Sequence, residues 1–215
     1  MPDDQLSRFA GLIRRYHGTL DLVSGKALED LDTLVAEARE YATVIAEVAG
    51  DEPTIVDLGS GVGLPGVVVA VTLPGSKVHL VERRRRRSAF LSTVVGQLGL
   101  SNARVWGRDV KDVNGVCAEV VTAQAVSSFS MVADLTRHLH RDPCYLVSRK
   151  GPDWKAELGP LQEALASLSG SDAPASVADA ERHTAVTVAA ERALGRGGSL
   201  VALRIHGGPG CRSSG

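Results

Sequence analysis

The sequence predicts an α/β protein: a mostly parallel sheet wound by helices, a C-terminal antiparallel hairpin at its edge, and a helical extension ahead of it. Three observations lead there. Between residues 54 and 168, short apolar runs alternate with segments of helical period, the mark of parallel strands joined by right-handed crossovers. The first run ends in a glycine cluster that opens a helix. Before residue 53 there is no β-rich run, and apolar residues recur at three- and four-residue steps.

In the extension, Leu6, Phe9, Leu12, Ile13 and Tyr16 lie on one helical face, and Leu31, Leu34, Val35, Ala38, Ala42, Ile45 and Val48 on another, with a loop expected at 18–25. The sheet begins with a strand at 54–58. A helix follows at 65–73 and stops before Pro74-Gly75, a turn signal. A second strand is expected at 77–81, a helix at 84–98, a third strand at 103–106 and a fourth at 119–123. A helix at 132–139, a fifth strand at 144–148 and a helix at 157–168 continue the alternation. Two strand-like runs, 184–189 and 199–205, are close enough to pair antiparallel. The small polar stretch 170–180 reads as a mobile loop and the tail 207–215 as disordered. The expected domains are therefore an extension over 1–50 and a ligand-binding domain over 51–206.

Composition excludes several classes. Among 215 residues, 44% are hydrophobic and 23% charged, ordinary globular values. Lys+Arg number 24 against Asp+Glu 25, so any nucleic-acid surface must be a local patch. The cysteines, Cys117, Cys144 and Cys211, are odd in number and form no CxxC. That argues against a disulfide framework or zinc site and for a reducing compartment. Cys144 is expected in the core. There is no signal-peptide pattern and no apolar stretch long enough for a membrane span, so the expectation is a cytoplasmic protein.

The segment Asp57-Leu58-Gly59-Ser60-Gly61-Val62-Gly63-Leu64-Pro65-Gly66 carries the chemistry. Glycines between a strand and a helix admit backbone conformations closed to other residues and let a ligand approach the main chain. Counted from Gly59, a dinucleotide fingerprint, GxGxxG, would place its third glycine where Leu64 stands. No Gly-Lys-Ser/Thr follows, which excludes a phosphate loop. Glu82 stands at the end of the second strand, 23 positions after Gly59, where an acid accepts hydrogen bonds from ribose hydroxyls. Asp109, after the third strand, is placed to accept from an adenine amino group.

The D-x-G-x-G-x-G arrangement resembles the S-adenosylmethionine loop of class I methyltransferases, which have a Rossmann-like sheet. With Gly63-Leu64-Pro65-Gly66, the stretch RRRRSAFL over 84–91 and Trp106-Gly107-Arg108, the chain more closely resembles the guanine-N7 methyltransferase family of small-subunit ribosomal RNA (RsmG, or glucose-inhibited division protein B). The likeness covers roughly residues 5–205. It implies cofactor contacts at Gly59, Leu64, Asp109 and Val110. Together with the readings above, the expected cofactor set is Asp57, Gly59, Ser60, Gly61, Gly63, Leu64, Pro65, Glu82, Arg83, Asp109, Val110 and Gln124. Two departures stand out: Gln124 occupies the position of a family arginine, and Asp32-Thr33-Leu34 falls where the family carries an Arg-His pair.

Five consecutive arginines, 83–87, open a helix, where the macrodipole disfavours cations. Phosphate is the partner that would make use of them. Arg84, Arg149 and Lys150 are the expected substrate contacts, with Arg14 and Arg15 as further cations. Methylation at guanine N7 needs alignment of two reactants and no general base, so no catalytic residue is assigned. Trp106 and Trp154 are expected to pack in the core, His79 to be a satisfied core residue, and no metal site is expected. The expected partner is ribosomal RNA or the small ribosomal subunit. The alternatives are a methyltransferase of the same fold acting on a small molecule, a silent binding module that keeps the cofactor fold, or a nicotinamide oxidoreductase. A stripe of unpaired cations joined to the cofactor crevice favours RNA; scattered or acid-paired arginines favour the small molecule.

Overall fold

The computed structural model describes residues 1–20, 22–124, 128–168, 186–206 and 211. The regions 170–180 and most of 207–215, read above as loop and tail, lie outside the described residues. The extension holds three helices among its described residues: α1 (Pro2–Leu20), α2 (Gly25–Glu29) and α3 (Leu31–Ala49). The helix α1 runs on through residues 18–20 of the expected loop, and α2 begins at that loop's last residue, its start capped by the Ser24 hydroxyl accepting from the Ala27 N–H.

The sheet domain follows in the anticipated alternation: β1 (Thr54–Leu58), α4 (Gly66–Thr72), β2 (Lys77–Val81), α5 (Arg85–Leu98), β3 (Ala103–Trp106), β4 (Ala118–Ala123), α6 (Phe129–Thr136), β5 (His140–Lys150), α7 (Leu158–Leu168), β6 (Val186–Ala193) and β7 (Ser199–Ile205). The seven strands lie in the order β3-β2-β1-β4-β5-β7-β6. The first five pair in parallel; β7 runs antiparallel between β5 and β6. The strand β5 is longer than its apolar core, because its flanks continue the ladders with β4 and β7.

Apolar residues cover both faces of the sheet. On one, Phe9 and Ile13 of α1, Ala42 and Ile45 of α3, Val68 of α4 and Leu91 of α5 form a single cluster with Ile55, Leu80 and Val120. On the other, Phe129 and Val132 of α6 and Leu161 of α7 pack on Val56, Val121 and Leu146. Burial on both faces is what a parallel sheet requires. The extension is thus part of the core rather than an appendage. The buried Tyr41 hydroxyl of α3 also accepts the Arg149 N–H near the end of β5.

One expectation is overturned. Cys117 and Cys211 form a disulfide with Cα atoms 5.4 Å apart. They are 94 residues apart in sequence, so local spacing carried no signal. The Cys211 N–H donates to the His140 carbonyl, and His140 is paired with Ala118, next to Cys117. Cys144 is free and buried, as expected.

Candidate functional site

The strand order reverses at β1, which has β2 on one side and β4 on the other. Ligands of open α/β sheets bind at such a switch point, beyond the carboxyl ends of the strands. Here a cleft of about 650 Å³ opens, lined among others by Gly59, Glu82, Arg83, Arg84, Arg87, Arg108, Asp109, Val110, Lys111 and Gln124.

Its wall is the glycine loop. Gly59, Gly61 and Gly63 all have positive φ (69°, 57° and 102°), a region that side chains resist. The loop is pinned by the Gly59 and Ser60 N–H groups, which both donate to the Val81 carbonyl, at 2.9 and 3.0 Å. Glu82, only 5% exposed, holds it from the other side. One carboxylate oxygen accepts the Gly61 N–H at 3.0 Å and the other accepts the Arg84 N–H at 2.8 Å. An ionised carboxylate has about four acceptor positions, so Glu82 retains capacity for two hydroxyls.

Asp57 lies beneath the loop and does not line the cleft. It is 1% exposed; its Oδ1 accepts from the Thr122 hydroxyl at 2.7 Å, and the Ser60 hydroxyl donates to its backbone carbonyl. Its Oδ2 has no partner in good hydrogen-bonding geometry and presses on the first turn of α4, where a Cβ on Gly66 would stand 2.4 Å away. Burial raises its carboxyl above the ordinary carboxylate range, opposed by the Thr122 hydrogen bond. Gly63 faces the core: a Cβ there would meet Val67 at 2.5 Å and Phe9 at 3.2 Å. Ser60 and Pro65 are buried, Leu64 half-buried. Of the expected cofactor set, Gly59, Glu82, Arg83, Asp109, Val110 and Gln124 therefore meet at the cleft, while Asp57, Ser60, Gly61, Gly63, Leu64 and Pro65 shape its wall or lie behind it. Asp109 also caps a 3-10 turn by accepting the Lys111 N–H.

A second cavity of about 520 Å³ shares Gln124 with the first and is lined by Arg149, Lys150, Gly151, Pro152, Gly197 and Gly198. Arg149 donates to the Gly197 carbonyl at 3.1 Å. Lys150 borders the cavity, as an expected substrate contact would, but its amine is bound to Glu157 at 2.8 Å and lies 4.2 Å from the centre of the Phe129 ring, leaving it 8% exposed. Glu157, seven residues on in a turn that doubles back, supplied no signal in the sequence. Arg14 is likewise paired, with Asp32 at 2.8 Å.

The arginines of 83–87 differ. Arg83 to Arg86 are exposed and Arg87 half-buried, and among the described residues no carboxylate lies within ion-pair distance of any of them. Arg108, quoted above only within Trp106-Gly107-Arg108, and Lys111, which sequence reasoning did not single out, extend this cation cluster across the cleft. Their signal was proximity to Asp109 after the third strand. Trp106 and Trp154 are buried, and His79 accepts from the Trp106 indole N–H at 3.0 Å.

The family model for rRNA small subunit methyltransferase G matches residues 3–185. The chain belongs to that family. A ribosomal RNA small subunit methyltransferase G from Neisseria meningitidis serogroup A is 31% identical over 186 residues, 85% of this chain and 87% of its own. The family member from Nitrosomonas europaea is 34% identical over 151 residues, 68% of this chain and 69% of its own. Among solved structures, the chain is similar in fold to P. horikoshii TYW2 in complex with MeSAdo (TM-score 0.61, 14% identity, 78% of this chain and 62% of that one). It is also similar to M. jannaschii TYW2 in complex with AdoMet (TM-score 0.53, 13% identity, 79% and 74%). At 13–14% identity, these two likenesses are of fold.

Proposed function

We propose that this protein is an S-adenosylmethionine-dependent methyltransferase that modifies guanine N7 in small-subunit ribosomal RNA. The observation that carries the reading is the group of acid-free cations, Arg83, Arg84, Arg87, Arg108 and Lys111, on the same cleft as the glycine loop and Glu82. Arginines held together with no carboxylate at ion-pair distance among the described residues are suited to a phosphate backbone. A small-molecule acceptor would not need them.

The residues present fit the cofactor. The cleft volume falls within the roughly 300–1,000 Å³ usual for small-molecule sites. The exposed Gly59 backbone permits close approach, Glu82 can accept from ribose hydroxyls, and Asp109 can accept from an amino group while Val110 supplies an apolar surface. When bound, S-adenosylmethionine supplies a methyl group on a positively charged sulfur. The protein's part would be to hold the acceptor base facing that methyl group. Guanine N7 offers a lone pair with no proton to remove, and among the described residues no histidine or cysteine lines the cleft. The work is positioning. On this reading the protein would work where the small ribosomal subunit is, in the cytoplasm.

The test is transfer of labelled methyl groups onto 30S particles, naked ribosomal RNA and a metabolite extract in parallel. Label recovered as 7-methylguanine from RNA, with activity falling steeply as salt rises, is the expected result. Label only in low-molecular-weight products would reassign the acceptor. Cofactor binding without transfer to any of the three would leave a binding module.

A further inference from the structure

The run of five arginines divides by helical geometry. Arg83, Arg84 and Arg87 line the cofactor cleft, whereas Arg85 and Arg86 border a separate groove of about 420 Å³ between α1 and α5. The two helices are antiparallel. Near the start of α1, Gln5 and Arg8 donate to the Leu98 and Gln97 carbonyls in the last turn of α5, at 3.0 and 2.7 Å. Towards the other end, Tyr16 meets Phe90 edge to face, with ring centres 5.9 Å apart. There the groove opens, beside the first turn of α5.

Its floor is apolar and partly aromatic, made by Tyr16 and Leu20 of α1 and by Ala89 and Phe90 of α5. Spacing brings floor and rim together: Tyr16 and Leu20 are four apart, as are Arg85 and Ala89, and Arg86 and Phe90. Arg85 and Arg86 stand exposed at the rim, and the exposed Arg15 places its guanidinium over the Tyr16 ring, 5.7 Å from the centre. Among the described residues, none of these three arginines has a carboxylate at ion-pair distance. An aromatic floor beside unpaired arginines is a combination that holds single-stranded nucleic acid, with a base on the ring and the backbone on the cations. The charge is continuous with that of the cofactor cleft, because residues 84–87 step round the first turn of one helix by ~100° each. That continuity favours a strand of RNA over an acidic peptide as the occupant.

We infer that the α1–α5 groove holds an unpaired nucleotide of the substrate RNA at a distance from the acceptor, with its base against Tyr16 and the neighbouring phosphates on Arg85 and Arg86. The inference rests on the proposed reading of ribosomal RNA as the acceptor. It gives the protein a second hold on the strand, outside the cofactor cleft: RNA leaving the cleft crosses the start of α5 and enters the groove. A duplex has no free base face to lay on that floor, so the groove selects an acceptor that lies next to a single-stranded stretch. It also assigns a use to the arginines of the run that face away from the cleft, and to Arg15.

The experiment measures binding of the full-length protein, in saturating S-adenosylhomocysteine, to 30S particles and to naked small-subunit ribosomal RNA over a range of salt. The pair Arg85→Ala, Arg86→Ala should weaken binding to both about tenfold and lower the salt slope by about 1.4, for two phosphate contacts on a single strand. Tyr16→Leu should weaken binding about fivefold or more, the low end for one stacked base, with the slope unchanged. Tyr16→Phe keeps the ring and should stay within about twofold of wild type. S-adenosylhomocysteine affinity, read by calorimetry, should stay within about twofold in every variant, which separates the groove from the cleft and shows that the fold is kept. Should Tyr16→Leu lose cofactor affinity, Ala89→Leu takes its place: that position is exposed, and added bulk there fills the groove without entering the core, with the same expected loss. Unchanged binding in the arginine pair overturns the inference. So does unchanged binding in the floor variant, or a Tyr16→Phe protein as weak as Tyr16→Leu. Loss confined to 30S particles, with naked RNA bound as before, assigns the groove to an acidic protein segment of the subunit and overturns it too. A wild-type protein that binds both substrates but methylates neither counts against the proposed reaction, while the variant comparison still decides the groove.

Discussion

The arginines of the cofactor cleft and those of the β6–β7 hairpin are treated in opposite ways. On the hairpin, Arg192 meets Glu40 and Glu47 of α3, and Arg196 meets Glu37 of α3 and Asp30 just before it. At the cleft, Arg83, Arg84, Arg87 and Arg108 have no carboxylate at ion-pair distance among the described residues. The hairpin charges are satisfied within the chain and fasten the edge of the sheet to the extension. The cleft charges crowd the start of α5, where both mutual repulsion and the helix dipole oppose them. Near-zero net charge thus conceals a separation between cations paired inside the fold and cations without an ion-pair partner among the described residues.

The largest effect expected from that separation is on RNA. The triple variant Arg83→Ala, Arg84→Ala, Arg87→Ala should lower 30S methylation at least about a hundredfold and reduce the salt slope of RNA binding by about two, from three lost phosphate contacts. Its thermal midpoint should not fall. Arg192→Ala, assayed alongside, should leave the slope unchanged. Equal loss of slope in both would break the comparison.

Next comes the frame beneath the cleft. Gly66→Ala would set a methyl group 2.4 Å from both Asp57 Oδ2 and Leu80 Cδ2. Overpacking of this kind costs about 1–3 kcal/mol. Chemical denaturation should show that loss, since Asp57 is held by Thr122 and Leu80 is in the core. Glu82→Ala should weaken S-adenosylhomocysteine binding by roughly 1–3 kcal/mol. It also frees the Gly61 and Arg84 N–H groups, so Glu82→Gln, which keeps one acceptor oxygen, should retain more stability. Calorimetry showing unchanged affinity for both variants would remove Glu82 from the cofactor site.

How far these regions were readable in the sequence follows from the range of the interactions. The strand-loop-helix frame was legible because it depends on neighbours: glycines at 59, 61 and 63 between an apolar run and a helix, and an acid at the end of the next strand. That Glu82 would grip Gly61 was not, because that hydrogen bond depends on how the end of β2 meets the loop across the sheet. Lys150 and Arg149 look alike in sequence, yet one is turned inward by Glu157 and the other faces a cavity. The Cys117–Cys211 bond and the Arg192 and Arg196 pairs join residues 94 to 166 positions apart, beyond the reach of periodicity or spacing. Local backbone demands are written locally; charge partnership is not.

The smallest effect tests the hairpin side. The hydrogen bond from Arg196, and then its charge, hold the Glu37 carboxyl below its ordinary value near 4.5. Glu37 is 11% exposed and Arg196 32%, so solvent screens part of the attraction and Arg196→Ala should cost only about 1 kcal/mol. The pH dependence identifies the source. A lowered carboxyl contributes stability that is fully present above its unfolded value and lost as pH falls through the folded one. Thermal melts should therefore show the wild type above Arg196→Ala at pH 7, with the gap closing as the pH drops below about 4.5. RNA binding should be the same in both proteins throughout the range where they are folded. A gap that persists in acid would mean that Arg196 acts through packing of its stem, and the hairpin would then lose its standing as the charge-satisfied half of the comparison.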